Sequence, residues 1–368
     1  MKRVMGIINL QNDNSKLTEI TDHRAAESIP FAGRFRMIDF ALSSLVNSGI
    51  ISVGVLLPDE SRSILDHLRS GKDWDLARRR DGMYYLPAAK VEKEDRQGDL
   101  KNFYYNLDFI ENTTQQYILV TGGSFVYNMD FNGLLEFHQK SGADISMVYY
   151  TTKDDTKGTN AVLTVSDDGK VTDIAEKEAV TSGSKVAMAV YLMEKSIFAD
   201  LVRKSYERGG KDFLLDCIVR RSSEYKMYGC EHTGYVAHID SMAAYYKSNM
   251  DMLEPSVWEE LYMGKHPVYT KVKDEVPVQY KADAKVKNSL IANGCVVDGE
   301  VENSILFRGV HVKKGVRIKD CIIMQKCELK EGAVLENVIC DKNVVISQGK
   351  WLKGSANYPY IVTKNTTI

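Results

Sequence analysis

A run of five- and six-residue repeats over residues 286–347 constrains the fold of this chain more than any other feature. In each repeat apolar residues take the first and third places and turn-forming residues the last, as in 310–315 (VHVKKG) and 327–332 (CELKEG). Strands this short bury nothing alone, but stacked coils of them enclose a narrow apolar core. The repeats therefore predict a parallel β-helix over 286–368, to which residues 358–362 add a last strand.

The first 254 residues follow another period, in which apolar, strand-length runs alternate with segments of helical spacing. The predicted strands include 4–10, 50–57, 117–120 and 144–150, and the predicted helices include 35–47, 61–68, 131–140 and 196–204. This alternation predicts a layered α/β domain with right-handed crossovers. We expect three parts: an α/β domain over 1–254, a connector over 255–285 and the β-helix domain over 286–368.

Composition excludes several classes of partner. The formal net charge of −2 argues for neither a nucleic acid nor a membrane surface. No apolar run approaches the roughly 20 residues of a membrane span, and the first residues show no signal-peptide pattern. The six cysteines lack Cys-x-x-Cys spacing. We expect free thiols and a cytoplasmic protein without nucleic-acid or membrane partners.

The segment over residues 30–53 reads PFAGRFRMIDFALSSLVNSGIISV. It resembles a segment of the glucose-1-phosphate adenylyltransferase (ADP-glucose pyrophosphorylase) family. The family's segment begins with phenylalanine, two glycines, a basic residue, an aromatic residue and arginine. It continues with Ile-Ile-Asp-Phe-x-Leu-Ser-Asn and Asn-Ser-Gly-Ile. The resemblance spans nearly the whole chain. It implies a Rossmann-like nucleotidyltransferase domain, with a mostly parallel sheet and helices on both faces, followed by a left-handed parallel β-helix of hexapeptide repeats.

Nucleotidyltransferases of that family hold a triphosphate with Mg²⁺ while a sugar phosphate attacks in line, so they need a glycine-rich loop, a cation and two carboxylates. At the aligned loop Gln11, Asn12 and Asn14 replace the three glycines, and Lys16 replaces the arginine. A lysine that the family uses downstream is Ala26 here. The phosphate loop is therefore degenerate, because side chains fill the space that the phosphates need.

Neither metal carboxylate of the family is present at the aligned positions. Gly123, in Gly122-Gly-Ser-Phe125, stands where a Gly-Asp-His turn is expected, and His238 stands where the second aspartate is expected. The base-recognition run Gly-Thr-Ala-x-Ala has become Gly98-Asp-Leu-Lys-Asn102. Loss of one preorganised charge-stabilising group costs about 2.7–4 kcal/mol. We expect no catalytic residue, no metal site and no tightly bound cofactor, the Mg²⁺ belonging to a catalytic partner.

Some sugar-binding positions survive and others do not. Glu176 and Lys177 match the family's sugar-phosphate contact pair and predict residual sugar-phosphate binding, although a solvated strand-end pair is the alternative. The family's Ser-Met-Gly-Ile-Tyr has become AMAVY at residues 187–191, which removes a partner for a sugar hydroxyl.

Two arginines are candidates for binding an effector. Arg24 and Arg36 match positions where the family uses basic residues for sugar-phosphate effectors, and a pair of arginines suits a phosphate group. Surface ion pairs with Asp22 and Asp39 are the alternative.

The chain matches the framework of the family, but the residues of the reaction centre are replaced. In this combination it resembles the family's non-catalytic regulatory subunits of the D type. The resemblance implies a regulatory subunit in glycogen biosynthesis that joins a catalytic glucose-1-phosphate adenylyltransferase paralogue in a hetero-oligomer, a tetramer as the family forms. It would modulate the synthesis of ADP-glucose from ATP and glucose 1-phosphate. Three alternatives stay open: an active nucleotidyltransferase with an atypical metal site on Asp13, Asp130 or Asp240; a stand-alone sugar-phosphate sensor; and an acyltransferase using His311, which we expect at an outward place of its repeat.

Overall fold

The computed structural model describes residues 1–11, 16–22, 24–89 and 98–368, apart from the side chains of residues 156–159. Asn12, Asp13 and Asn14 lie outside the described residues. The chain forms two compact units that alternate along the sequence. The first comprises Met1–Asp13, Phe40–His238 and His266–Tyr269, and the second comprises Asn14–Asp39, Ile239–Lys265 and Thr270–Ile368. The boundaries expected at residues 254 and 285 stay a prediction.

The elements are given in chain order. The strands are β1 (Val4–Asn9), β2 (Pro30–Phe31), β3 (Phe35–Arg36), β4 (Ser52–Leu56), β5 (Gly82–Leu86), β6 (Tyr117–Gly122), β7 (Phe125–Val126), β8 (Ile145–Thr151), β9 (Thr156–Val165), β10 (Val171–Val180), β11 (Lys185–Glu194), β12 (Met227–Glu231), β13 (Ala237–His238), β14 (Gln279–Tyr280), β15 (Lys285–Lys287), β16 (Leu290–Ile291), β17 (Val296–Val297), β18 (Glu300–Glu302), β19 (Ile305–Leu306), β20 (His311–Val312), β21 (Arg317–Lys319), β22 (Ile322–Ile323), β23 (Glu328–Leu329), β24 (Val334–Glu336), β25 (Val338–Cys340), β26 (Val345–Ile346), β27 (Trp351–Lys353) and β28 (Tyr360–Val362). The α-helices are α1 (Thr18–Thr21), α2 (Ile38–Asn47), α3 (Arg62–Leu68), α4 (Leu100–Tyr105), α5 (Leu107–Glu111), α6 (Phe131–Ser141), α7 (Lys195–Glu207), α8 (Met242–Met250) and α9 (Pro255–Tyr262). Short 3₁₀ turns cover Ala26–Ser28, Lys72–Trp74 and Asp251–Leu253, and Phe213–Val219 is π-helical. In the described part of the chain, no helix is long and apolar enough to cross a membrane.

Nine strands of the first unit form one mixed sheet. Its main path is β10-β9-β11-β6-β1-β4-β5, and β8 pairs with both β11 and β12. β1 pairs in parallel with β4 and β6, as the alternation of strands and helices predicts. β9 pairs antiparallel with both β10 and β11. The Asp-Asp-Gly turn at 167–169 folds β10 back on β9 as a hairpin. β1 is buried along its whole length, which its apolar, β-branched sequence favours.

Helix α2 starts later than its spacing predicts. The expected helix over 35–47 begins at Ile38, because Phe35–Arg36 pairs antiparallel with Pro30–Phe31 in a two-stranded hairpin. The carboxylate of Asp39 accepts a hydrogen bond of 2.9 Å from the backbone N–H of Arg36, which fixes the entry into the helix. The predicted end is confirmed, since α2 stops at Asn47 and Gly49 adopts a left-handed φ of 79°.

The second unit contains the parallel β-helix that the repeats predict. Its strands form three five-stranded parallel sheets, β14-β17-β20-β23-β26, β15-β18-β21-β24-β27 and β16-β19-β22-β25-β28. Register within the first sheet advances from Gln279 by 17, 15, 17 and 17 residues, so each coil comprises three short repeats. The β-helix starts at Gln279, before the predicted residue 286, and β28 adds the predicted last strand by pairing with β25.

One corner of the β-helix is a ladder of polar residues in the left-handed backbone conformation. Asn288, Asn303, Asp320 and Asn337 have φ values of 42°, 47°, 52° and 52°. The side chain of Asn303 accepts from Asn288 at 2.9 Å and donates to Asp320. The hydroxyl of Tyr246 lies 2.7 Å from the carbonyl oxygen of Asp320 and 3.1 Å from Oδ1 of Asn337. Asparagine and aspartate tolerate this conformation better than other non-glycine residues, which explains their recurrence here.

Candidate functional site

The carboxyl end of β1 is filled by side chains of the chain itself. Asn9 donates a 2.6 Å hydrogen bond to Asp99, and it accepts one of 3.2 Å from the backbone N–H of Gln11. The side chain of Gln11 donates to the carbonyl of Leu57 at 3.2 Å, and Asp99 accepts at 2.8 Å from the backbone N–H of Phe213. Ligands of open α/β sheets bind at the carboxyl ends of the strands. A network of mutually hydrogen-bonded polar side chains therefore occupies this place. Asn9 was not predicted from the sequence.

The carboxyl group of Asp99 is the most perturbed acid of this network. Burial and, to a smaller extent, the nearby charge of Asp212 raise its pKa to about 7. Hydrogen bonds from Phe213 and Asn9 act in the opposite direction. The network therefore contains a carboxyl group that is partly protonated near neutral pH.

The structure brings the two aligned metal positions together. Ala237 lies opposite Val126 and His238 opposite Phe125 in the antiparallel pair β13–β7. The imidazole of His238 stacks on the ring of Phe125, with centroids 4.2 Å apart and planes inclined by 8°. Gly123 is buried two residues before Phe125. The pairing of β13 with β7 thus brings His238 beside the bend that contains Gly123, but these positions offer a residue without a side chain and a stacked imidazole.

The acids of the alternative metal site have other environments. Asp130 caps helix α6, where Oδ1 accepts from the backbone N–H of Asn132 at 3.0 Å, and its other carboxylate oxygen lies 4.0 Å from Nε2 of His266. Asp240 is half-buried, and Asp13 is outside the described residues. Within the described ranges, no three or more His, Cys, Asp or Glu side chains come together as metal ligands would.

Glu176 and Lys177 lie on β10, at the edge of the main sheet. They face Ala161 and Asn160 across the β9–β10 ladder, and both are exposed. A register shift follows directly, between Lys177 and Ala179. The pair thus lies within a strand and not at its end, and it has access to solvent.

Ala189 keeps a backbone conformation suited to glycine. It lies where β11 shifts register between Ala187 and Val190, and its φ is 52°. The aligned family residue is glycine, which adopts positive φ without strain. Strand β11 thus has the bulge although alanine stands in place of the glycine that favours it.

The remaining phosphate-loop positions belong to the second unit. Lys16 is exposed, just before α1, and Ala26 is buried in the 3₁₀ turn Ala26–Ser28 with 2% of its surface exposed. The methyl group of Ala26 offers no charge to a phosphate.

Arg24 is a buried cation and not a surface one. Only 6% of its side chain is exposed, and it forms an ion pair with the buried carboxylate of Asp341. The alternative of a surface pair with Asp22 is therefore wrong for Arg24, because its partner is 317 residues away. The second terminal nitrogen, Nη1, is buried and has no hydrogen-bond acceptor in the described part of the chain.

Arg24 and Arg36 belong to a larger group of cations within the second unit, which we call the basic cluster. Electrostatic repulsion links its members into one group: Arg24, Arg34, Arg36, Lys273, Arg308, Lys326 and Lys342. Burial, followed by repulsion from Arg36 and Arg24, lowers the pKa of Lys342 to about 7. Burial also lowers the pKa values of Arg308 and Lys273. Repulsion from Arg308 and Arg36 lowers the pKa of Lys273 further. Three acids, Asp39, Glu275 and Asp341, offset part of this charge.

Three members of the basic cluster come from stacked corners of the β-helix and were missed in the sequence. Lys326 donates its backbone N–H to the carbonyl of Arg308 at 3.0 Å, and the N–H of Asn343 donates to Gln325 at 3.0 Å. Arg308, Gln325 and Lys342 therefore occupy equivalent places on successive coils, 17 residues apart. Arg308 and Lys342, at equivalent places two coils apart, and Lys326, next to the intervening Gln325, were the available signal. His311, by contrast, is exposed at the outward place of its repeat, as predicted.

Comparison with known proteins agrees with this architecture. The family model for nucleotidyl transferases matches residues 13–270, and the model for the GlmU-like C-terminal hexapeptide matches residues 275–353. The chain belongs to the nucleotidyl transferase family. Within this family it is 36% identical to the glycogen biosynthesis protein GlgD of Bacillus subtilis (strain 168), over 98% of this chain and 96% of that protein. GlgD of Geobacillus stearothermophilus is also 36% identical, over 99% and 97% of the two chains. A glucose-1-phosphate adenylyltransferase of Clostridium perfringens (strain 13 / Type A) is 28% identical, over 100% and 95%.

The Mg²⁺ that a nucleotidyl transferase needs does not fit the residues at the two aligned metal positions. Mg²⁺ prefers hard oxygen ligands in octahedral geometry, usually one or two carboxylates with substrate phosphates. Gly123 has no side chain, and the imidazole of His238 lies flat on Phe125. Among the described residues, the two aligned positions therefore supply no oxygen ligand for Mg²⁺.

Proposed function

We propose that this chain is a non-catalytic regulatory subunit of glucose-1-phosphate adenylyltransferase in glycogen biosynthesis. The observation that carries the proposal is the absence of a carboxylate at the two aligned metal positions: Gly123 lies in the bend before β7, and His238 pairs with and stacks on Phe125. The Asn9–Asp99 pair at the carboxyl end of β1 supports it, because a self-satisfied network competes with a bound nucleotide. The similarity to two GlgD proteins along nearly their whole lengths points to the same pathway.

The partner in this proposal is a catalytic paralogue that carries the Mg²⁺ and performs the transfer. The two chains form a hetero-oligomer in the cytoplasm, a tetramer by analogy with the family, and this chain binds no cofactor tightly. It changes the partner's turnover or substrate affinity by favouring one conformation of the assembly. The similarity to an adenylyltransferase over the whole chain supports such pairing, because related chains share surfaces that assemble.

The basic cluster is the proposed site for a phosphorylated effector. A buried guanidinium nitrogen of Arg24 without an acceptor and an ammonium group of Lys342 with its pKa lowered to about 7 are both stabilised by an added anion. A phosphate ester supplies several acceptor oxygens and up to two negative charges. Arg36 extends the cluster from β3. Glu176 and Lys177 are exposed, so a second and weaker sugar-phosphate contact there remains part of the proposal.

The test is the formation of ADP-glucose from ATP, glucose 1-phosphate and Mg²⁺. It is measured with this chain alone, the catalytic chain alone and the two co-expressed. We expect no product from this chain alone and a changed rate or substrate affinity in the mixture. Turnover by this chain alone, abolished by Asp240→Asn, would refute the assignment. Homogeneous oligomers of this chain that do not bind the catalytic paralogue would instead indicate a stand-alone sensor.

The effector site is tested in the same mixture by titrating sugar phosphates. Arg36→Ala should weaken the response to the effector while basal activity with the partner persists, since the guanidinium group supplies charge and not assembly contacts in this proposal. Arg317→Ala is the matched control, because Arg317 is an exposed arginine of the same β-helix. An equal loss of response in both variants would contradict a specific role for the cluster.

A further inference from the structure

A cavity of the first unit lies away from the carboxyl edge of the sheet. Its volume is about 290 Å³, at the lower end of the range for small-molecule sites. Ile50 and Ile51, which precede β4, form part of its wall, so the cavity adjoins the amino end of that strand. Leu57, which follows β4, binds Gln11 at the opposite end. Since β1 and β4 are parallel, the cavity and the nucleotide edge lie at opposite edges of the sheet.

Trp74 is a buried polar group at this cavity that lacks a partner. Its side chain lines the cavity with 2% of its surface exposed, and its ring packs edge-on against His67. The indole Nε1–H is buried and has no acceptor among the residues that the structure describes. A buried donor that has lost water and gained no acceptor is unfavourable. A ligand with a hydroxyl or carbonyl oxygen would supply the missing acceptor.

Tyr269 supplies an aromatic face at the mouth of the same cavity. Its ring is 39% exposed, and its backbone N–H donates to Oγ of Ser43 at 2.9 Å. The side chain of Asn47, another lining residue, donates to the carbonyl of Pro267 at 2.9 Å and anchors the same segment. The cavity thus has one exposed aromatic ring held by a fixed backbone.

The charges at the cavity are balanced, in contrast to those of the basic cluster. Lys72 and Arg78 line it together with Asp73 and Asp75. Arg78 forms an ion pair with Asp75, and its Nε also donates to the backbone carbonyl of Asp75 at 2.7 Å. Two cations beside two anions do not select an anionic ligand. They offer donors and acceptors to a neutral ligand that can use both.

We propose that this cavity binds a neutral pyranose ring, supplied by a free monosaccharide or by the end of a glucan chain. A pyranose has an apolar C–H face that suits the exposed ring of Tyr269, and each of its hydroxyls can both donate and accept. The Nε1–H of Trp74 donates to one hydroxyl oxygen, and the Lys72 and Asp73 side chains bind others. The site is separate from the degenerate nucleotide edge, so it does not depend on the regulatory function proposed above.

The experiment is saturation-transfer NMR on the full chain with glucose, maltotriose, adenosine and inorganic phosphate as separate probes. Saturable binding of glucose or maltotriose is expected in the millimolar range. Tighter binding of maltotriose identifies a glucan end as the source, and equal binding identifies a free monosaccharide. Binding of adenosine or phosphate in place of the sugars, lost in Tyr269→Ala, would overturn the proposal, as would the absence of saturable sugar binding.

Two variants and a control locate the binding. Tyr269→Ala removes the exposed ring and should abolish the sugar signal. Trp74→Phe keeps the aromatic bulk but removes the N–H, and should weaken binding by about five- to tenfold, the effect of one hydrogen bond. Tyr280→Ala removes an aromatic ring that is 56% exposed in the β-helix and should change nothing. Sugar binding that is unaltered in both cavity variants would refute the site, and the surface variant Tyr269→Ala keeps the test valid if Trp74→Phe fails to fold.

Discussion

Replacement of Lys342 by methionine should stabilise the folded chain. The ammonium group of Lys342 is held in a half-buried position where its neighbours Arg36, Arg24 and Lys273 repel it, and Asp341 compensates only in part. Methionine keeps an unbranched apolar side chain of similar length and removes the charge. The variant therefore removes the electrostatic cost of the basic cluster with little loss of packing.

The size of this cost follows from the pKa of Lys342. The pKa falls from 10.5 to about 7. At about 1.36 kcal/mol for each pKa unit, this corresponds to at most about 5 kcal/mol, and the partial access of the ammonium group to water reduces it to about 2–3 kcal/mol. Because the pKa is lowered in the folded state, the unfolded chain binds more protons between pH 7 and 10.5. The stability of the parent protein therefore rises with pH across this window, and the penalty is complete below pH 7.

Thermal unfolding of parent and variant at pH 6, 7.5 and 9 tests this reasoning. We expect Lys342→Met to raise the midpoint by several degrees at pH 6 and by progressively less as the pH rises. Lys350→Met removes a lysine from an exposed position of the same β-helix and should shift the midpoint little at any pH.

Inorganic phosphate provides the second half of this test. An anion bound at the basic cluster offsets the repulsion, so phosphate should stabilise the parent protein more than Lys342→Met. Destabilisation by Lys342→Met at pH 6, or a gain that is equal at every pH, would refute the assignment of an electrostatic penalty to Lys342.

Three further predictions concern single residues. Ala189→Gly should raise the free energy of unfolding by about 0.5–1 kcal/mol in urea denaturation, because glycine adopts the positive φ without strain. The control Ala187→Gly should lower it. A lower free energy of unfolding in both variants would contradict a strained Ala189. Asp341→Asn should lower stability by about 3–5 kcal/mol because it leaves the buried Arg24 without its counter-charge, and a change below about 1 kcal/mol in thermal unfolding would show that the pair is not buried in solution. Burial raises the pKa of Asp99 to about 7, so the folded state binds the extra proton and the parent protein should lose stability as the pH rises from about 4 to about 7. Asp99→Asn should flatten that dependence in unfolding experiments between these pH values, and an unchanged pH profile would argue against the assignment.

Most of the fold could be predicted from the local periodicity of the sequence. The alternation of apolar runs with helical segments predicted the parallel half of the sheet, and the five- and six-residue repeats predicted the β-helix. Both patterns depend on neighbours within a few residues of one another. The start of α2 was missed because Phe35–Arg36 pairs with Pro30–Phe31, and that pairing outweighs the helical spacing of the same residues.

The candidate site was predicted less completely, because its features depend on residues far apart in the chain. Alignment identified Gly123 and His238 separately, and only the pairing of His238 with Phe125 shows that His238 lies beside the bend that contains Gly123. Asn9 and Asp99 are 90 residues apart, so neither suggests the other in the sequence. Arg24 has acidic Asp22 close by in sequence but pairs with Asp341, since the fold buries those two side chains together.

The alternation of the two units along the chain has a consequence for how the protein is made. The second unit joins residues 14–39 to residues 270–368, so its parts are translated far apart in time. Closing so long a loop adds little to the equilibrium cost, since each doubling of loop length costs only about 0.6 kcal/mol, but distant pairings form slowly. Until the last coils leave the ribosome, Ile29 and Phe31, which are fully buried in the finished protein, lack the rest of their unit. The basic cluster, which joins Arg24 to Lys342, therefore cannot assemble until these coils have been translated.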